Sequence, residues 1–275
     1  MDYNSKESQE DLSQYNPEGS VLRKAQRRML EILVEFDRVC RKNNIPYWLS
    51  AGTLLGAKRH GGFIPWDDDI DVLMLKKDSK RLVRALERDL SPQFRLQNRK
   101  TDKNYCFFFA KIRDTKSQII MSDDNESKFD YKYKGLYIDV LPIVPKILPV
   151  KLKKLVEQHI IYRYELRKNS KDKFHRFLNS TLILLYPFYY LCTYIPAYLG
   201  KFLGLKNYAY PPGVFFSNVR RIDEIFPLSK ITFEGIEFNA PHNVDAYLTR
   251  LYGDYMKIPP KGHRETHLHD IEIED

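Results

Sequence analysis

Apolar residues at positions 21, 22, 25, 29, 32, 33, 36, 39 and 40 recur at the helical period between Ser20 and Asn43, with basic residues opposite. That spacing predicts an amphipathic helix. Beyond it the pattern shortens. Ile45–Ser50 reads as a short strand, Ala51–Ala57 as a tight turn opening a helix, and 69–75 as a second strand. Lys77–Asp89 is helical in pattern, with Leu82, Val83, Ala85 and Leu86 on its apolar side. Tyr105–Asp114 and Tyr137–Leu141 are further strand candidates, and the 146–206 region is mainly helical. The C-terminal third predicts a hairpin over Ile231–Phe238, turning at Glu234-Gly235, and a last helix from Val244 to Tyr252. Helices and strands mix without an internal repeat, which indicates an α+β fold.

One segment stands out from this pattern. Ile64-Pro65-Trp66-Asp67-Asp68-Asp69-Ile70-Asp71-Val72 sets four carboxylates between apolar flanks. On a strand Asp67, Asp69 and Asp71 would share one face and Asp68 would point the other way. Like charges so close repel unless a cation sits among them, and hard oxygen ligands suit Mg²⁺ or Mn²⁺. A solvated acidic loop fits poorly, because the flanks are too apolar. A calcium loop fails as well: it requires Gly at its sixth position and Glu at its twelfth, where this chain has Val72 and Asp78. The reading is a divalent-metal site that holds a phosphate.

Upstream, Gly52 and Thr53 open the helix that follows the first strand. Gly lets the backbone approach a phosphate, helix N-terminal amides favour an anion, and Thr53 can add a donor. A Gly-Thr turn followed by Asp-x-Asp on a strand is the layout of a nucleotidyltransferase-like site. Lys58, Arg59 and His60 lie between the two parts, where cations could meet a diphosphate or form an ordinary basic turn. Asp139, in the apolar run Tyr137–Leu141, is either a structural Asp at a turn or a further carboxylate across from Asp69 and Asp71. Lys111 and Arg113 alternate on one strand face, so both could point at the same anion or at solvent.

These residues carry a family resemblance. Gly52-Thr53-Leu54-Leu55-Gly56, Arg59 and Ile64–Asp71 resemble the signature of the LicD family. So do Lys111-Ile112-Arg113, Gly135–Pro142 and Leu251–Tyr255 followed by Pro259-Pro260. The similarity runs from about residue 20 to the C-terminal region. It implies a nucleotidyltransferase-like (polymerase-β-type) fold, a mixed sheet with flanking helices and a helical insertion. It also implies transfer of phosphocholine from CDP-choline to a sugar of a cell-surface glycan precursor, of teichoic acid or lipopolysaccharide type. Relatives handle other CDP-linked alcohols, ribitol phosphate among them.

Under that resemblance Asp69 and Asp71, with Asp139, would hold one or two Mg²⁺, or Mn²⁺, against the donor diphosphate. Asp139 or Asp68 would act as general base. Gly52, Thr53 and Arg59 would position the diphosphate, and Trp66, Asp67, Lys111 and Arg113 complete the implied substrate set. Arg264 and His267 are raised as phosphate contacts within a C-terminal stretch that otherwise reads as a flexible polar tail. Histidines 263, 267 and 269 lack the further ligand a structural zinc site needs. Choline would require aromatic faces. Tyr47, Trp48, Phe107, Phe108, Phe109, Tyr131, Tyr133 and Tyr137 are candidates.

The chain carries a net charge of +9 over 275 residues. No zinc-finger spacing or RNA-binding aromatic signature accompanies it, so nucleic acid is not the expected partner. Basic residues crowd 146–176 and are followed by Phe177–Gly200, a run without a charge. Pro187, Pro196 and five tyrosines in that run argue for a segment lying in a membrane interface, with a buried hairpin, and then a true transmembrane helix, as the alternatives. The expected organisation is a loose polar tail over 1–18, a catalytic core over 19–145, a membrane-proximal helical insertion over 146–206, and a part completing the core over 207–275. Three isolated cysteines (40, 106 and 192) and no apolar leader at the N-terminus predict a cytoplasmic protein, peripheral on the inner face of the membrane.

Overall fold

A computed structural model describes residues 10–120 apart from 106, residues 131–146, single positions between 177 and 199, and residues 204–273 apart from 212, 213, 215, 217, 265 and 267–269. Helix α1 (Val21–Lys42) starts where the sequence places it, with the Ser20 side chain accepting from the Arg23 amide. Its apolar stripe is buried except at Val21, which is 54% exposed before the helix meets the core, and at half-buried Leu22. Three polar residues are buried beside that stripe. Gln26 donates to the Asp67 carbonyl, Glu35 is held by Arg38 and Ser91, and Asp37 accepts from the Tyr47 hydroxyl.

The central sheet runs β1 (Trp48–Leu49), β2 (Asp71–Leu75), β6 (Tyr137–Pro145), β4 (Ala110–Asp114) and β3 (Phe94–Gln97). It is mixed: β2 and β6 are parallel, and the other neighbours antiparallel. Helix α2 (Ala51–His60) links β1 to β2 and ends on Gly61 in the left-handed region. A 3-10 turn (Lys76–Asp78) leads into α3 (Ser79–Asp89), so the helix begins two residues later than the pattern suggests. The short strands β7 (Asn207–Ala209) and β8 (Arg220–Arg221) extend β6, and α4 (Ile222–Ile225) follows β8.

The hairpin is β9 (Ser229–Phe233) and β10 (Ile236–Ala240), turning at Glu234 and Gly235, both with positive φ. Helix α5 spans Val244–Tyr252, as the sequence predicts. Beyond the stretch Arg264–His269, β11 (Asp270–Ile273) pairs with β5 (Ser117–Ile120), a pairing the sequence does not predict. The expected loose N-terminal tail is corrected over residues 10–18. Leu12 and Tyr15 pack against the core, and the ring of Tyr15 meets Trp66 edge-on at 5.3 Å.

Most of the 146–206 insertion lies outside the described residues. The positions described within it, among them Leu184, Phe188, Leu191, Ile195 and Leu199, are helical and exposed. Among the described residues no helix is long and apolar enough to cross a membrane. Cys40 is buried and reduced; Cys106 and Cys192 lie outside the described residues.

Candidate active site

The acidic stretch is not a strand along its whole length. Asp67–Ile70 form a loop, and β2 begins at Asp71. The loop is pinned all the same. Gln26 donates to the Asp67 carbonyl at 2.9 Å, and the Asp67 amide donates to Ile64 at 2.8 Å. Beside it, Glu234 accepts from the Phe63 amide and from Arg23, a bond that joins hairpin, loop and α1.

Asp71 is fixed from both sides of its backbone. Its amide donates to the Thr53 hydroxyl at 2.8 Å, and its carbonyl accepts from the Ser50 amide at 3.1 Å. Parallel pairing then sets Asp71 in register with Asp139, and antiparallel pairing sets Asp139 in register with Lys111. Side chains in register across neighbouring strands share a face, so the three form a row. The Lys111 ammonium is 3.1 Å from Asp139 Oδ1 and 3.4 Å from the centre of the Tyr137 ring.

The electrostatics identify which charges meet. The Asp71 carboxyl is pushed well above its usual range by burial, then by Asp69, Asp139 and Asp67, with Lys111 opposing. The Asp67 carboxyl is likewise pushed up by burial, then by Asp69 and Asp68, with Arg59 opposing. Asp67, Asp69, Asp71 and Asp139 therefore form one negative cluster with too little positive charge for its size. Asp68 is buried and adds its field at Asp67, outside the row.

The donors suit a hard cation. The buried Oδ2 of Asp67 has no hydrogen-bond partner, and carboxylates that raise one another's proton affinity are what a divalent ion would offset. Among the described residues, however, no three such side chains converge into a ready-made coordination geometry. The cluster supplies the chemistry of a metal site, and its side chains would have to turn toward the ion.

Several predicted site residues have other duties. Gly52 lies in the first turn of α2, where an added Cβ would sit 2.6 Å from Asp67 Oδ2, so the space over it belongs to that carboxylate. Thr53 is an acceptor for the Asp71 amide before it is a donor to any substrate. Arg59 donates to the carbonyls of Tyr255 and Lys257 and to His60, which burial and then Arg59 hold at about 4. It still lies close enough to Asp67 to oppose its charge.

Arg113 is 1% exposed and donates to Gln97 and to the Gly135 carbonyl, so it braces the sheet. Lys111 does not await an anion; it meets Asp139. Arg264 pairs with Glu10, donates to Tyr15 and lies 5.0 Å over Trp66. Trp66 is thereby buried in a structural stack. His267 lies outside the described residues. Of the choline candidates, Tyr47 and Trp48 are wholly buried core.

The structure adds residues that the sequence alone did not single out. The phenol of Tyr252, at the end of α5, is pushed up by burial and then by Asp71, Asp67, Tyr247 and Asp69, so it lies within reach of the cluster's charge, although the residue as a whole is 44% exposed. Behind Asp71, buried Arg220 donates to Tyr247 and Tyr210 at 2.7 Å each, and Tyr247 bonds Ser50 at 2.7 Å. Tyr210 feels the charge of Asp71 in turn. No local motif marks these residues, because they come from elements more than 100 positions downstream of β2.

Over residues 44–147 the chain matches the family described as LicD/FKTN/FKRP, nucleotidyltransferase domain. It is 30% identical over 268 residues to the lipopolysaccharide cholinephosphotransferase LicD of Haemophilus influenzae, covering 90% of this chain and 95% of that one. Over 34 residues it is 53% identical to the ribitol 5-phosphate transferase FKRP of Homo sapiens and of Mus musculus, covering 12% of this chain and 7% of theirs.

Proposed function

The chain belongs to the LicD family, and from that premise we propose that it transfers phosphocholine from CDP-choline to a sugar hydroxyl of a cell-surface glycan precursor, releasing CMP. The observation that carries this reading is the row Asp71–Asp139–Lys111, with Asp67 and Asp69 adding charge on the same side. A concentrated negative cluster beside the first turn of α2 has one evident use, which is to hold a cation against a diphosphate. The mixed sheet and its flanking helices are compatible with a nucleotidyltransferase-like core, and we carry that fold as part of the proposal.

Asp69, Asp71 and Asp139 would hold the ion, Mg²⁺ or Mn²⁺. When bound it would neutralise charge on the diphosphate and on departing CMP. The chain's own residues do the rest. Thr53 and Ser50 lock the Asp71 backbone, so that its carboxylate is aimed before substrate arrives. Asp139, oriented by Lys111, accepts the proton of the acceptor hydroxyl. The hydroxyl oxygen forms its bond to the phosphorus bearing choline, and the bond from that phosphorus to the bridging oxygen breaks toward CMP. Asp68 lies outside the row and is not assigned the base role. Tyr252 stands at the cluster as a hydrogen-bond donor to the phosphate.

A second reading keeps the chemistry and changes the donor. The short match to the ribitol 5-phosphate transferases favours an alcohol phosphate other than phosphocholine. The test is CMP release with Mg²⁺ and a lipid-linked or soluble amino-sugar acceptor, with CDP-choline, CDP-ribitol or CDP-glycerol as donor. Acceptor-dependent release with CDP-choline alone supports phosphocholine transfer. Turnover only with CDP-ribitol or CDP-glycerol supports the second reading, and silence with all three contradicts both.

A further inference from the structure

The sheet has a second face, and a cavity of about 320 Å³ opens on it. Its floor is Met74 of β2 with Val140 and Pro142 of β6. Met74 is in register with Pro142, and Val72 with Val140, whereas Asp71 is in register with Asp139. Side chains alternate along a strand, so this floor is the reverse of the acidic face. Helix α3 supplies one wall through Leu82 and Val83, and the segment before β4 supplies the other through Phe107, Phe108 and Phe109.

The charged residues lining the cavity are all cations: Lys76, Arg99 and Lys100. Lys100 is already held by Glu87 at 2.9 Å, and Arg99 lies 4.5 Å over the Phe108 ring at the rim. Lys76 differs, being half-buried, and its ammonium has no hydrogen bond or ion pair among the described residues. The nearby carboxylate Asp78 lies 3.6 Å from Arg81 instead. Burial, and then the neighbouring Lys80, lower the proton affinity of the Lys76 ammonium. A half-buried ammonium without a counter-ion is costly, and an anion entering the cavity would offset that cost.

We propose that this cavity is a second ligand site, separate from the acidic face, for a small molecule carrying an anionic group on a flat apolar or aromatic body. Lys76 meets the anionic group, with Arg99 at the entrance. The body lies between the phenylalanines and the apolar side of α3. The volume falls at the lower end of small-molecule sites, enough for one ring system and its charged group. Phe107 and Phe109 also lie 5.6 and 5.8 Å from the Lys111 ammonium on the other face, so a test must keep the two faces apart.

The probe is 1-naphthyl phosphate, titrated calorimetrically into the full-length protein, with 1-naphthol and inorganic phosphate as comparators. Saturable binding at one site per chain is expected, weakened at least tenfold for 1-naphthol and for Lys76→Met. Asp71→Asn should bind within twofold of wild type. Val83→Phe, which fills the cavity from α3, should abolish binding and decides the matter if Lys76→Met does not fold. Four results would each overturn the proposal: no saturable binding, equal affinity for naphthol, unchanged affinity in folded Lys76→Met or Val83→Phe, or loss of binding in Asp71→Asn.

Discussion

At the scale of single residues, the site is a balance between like charges and the few groups that relieve them. Asp67 and Asp71 have folded-state proton affinities above their unfolded ones, so at these two sites the folded chain binds more protons than the unfolded chain above pH 3.8. The stability these two groups contribute therefore falls as pH rises through that window. In metal-free protein, Asp71→Asn should raise the melting temperature at pH 8, by a margin that shrinks toward pH 5; a margin independent of pH would count against the charge argument. On the proposed reading the same variant should lower phosphocholine transfer by about 10³-fold, since it removes a charge that would hold the cation against the diphosphate. Lys111→Met removes the cation beside Asp139 and should cost about 3 kcal/mol in denaturant unfolding, as for other broken buried pairs. The carboxylates were legible in the sequence because four of them interrupt an apolar run. The partners of Lys111 and Arg113 were not: alternation gives a shared face but not what lies opposite, register supplies Asp139 for Lys111, and Gln97 reaches Arg113 diagonally from a position in register with Lys111.

At the scale of elements, the start of α2 is what aims the cluster. Gly52 leaves room for the Asp67 carboxylate, and Thr53 receives the Asp71 amide. Gly52→Ala should cut turnover at least tenfold while circular dichroism stays native, because the new methyl displaces Asp67. Thr53→Val leaves a buried amide without its acceptor and should cost about 1–3 kcal/mol in urea unfolding, whereas Thr53→Ser should restore it. Elements with strong local signals were readable in advance. The stripe of α1, the Glu234-Gly235 turn and α5 all announce themselves by periodicity or turn chemistry. The pairing of β5 with β11 joins segments about 150 positions apart, and strands β7 and β8 hold only a few residues each. Their existence depends on distant partners, so no local pattern reports them.

At the scale of the whole molecule, the sheet separates an acidic front from a cationic, aromatic back, and an N-terminal strap closes over Trp66 through Tyr15, Glu10 and Arg264. Leu184, Phe188, Leu191, Ile195 and Leu199 are exposed at helical positions three or four residues apart, which aligns them in one stripe. With basic residues crowding 146–176, that stripe suits a membrane interface. Sedimentation with anionic vesicles should be reduced at least tenfold in Leu184→Asp/Leu191→Asp, and it should weaken as salt rises. The most direct test of the central claim is the fate of label from CDP-choline carrying radioactive choline methyls, with a glycan acceptor and Mg²⁺. The account predicts label in the acceptor, one CMP released per label transferred, and neither with Asp71→Asn. Label recovered as free phosphocholine with CMP joined to the acceptor would contradict it, and so would transfer that survives in Asp71→Asn.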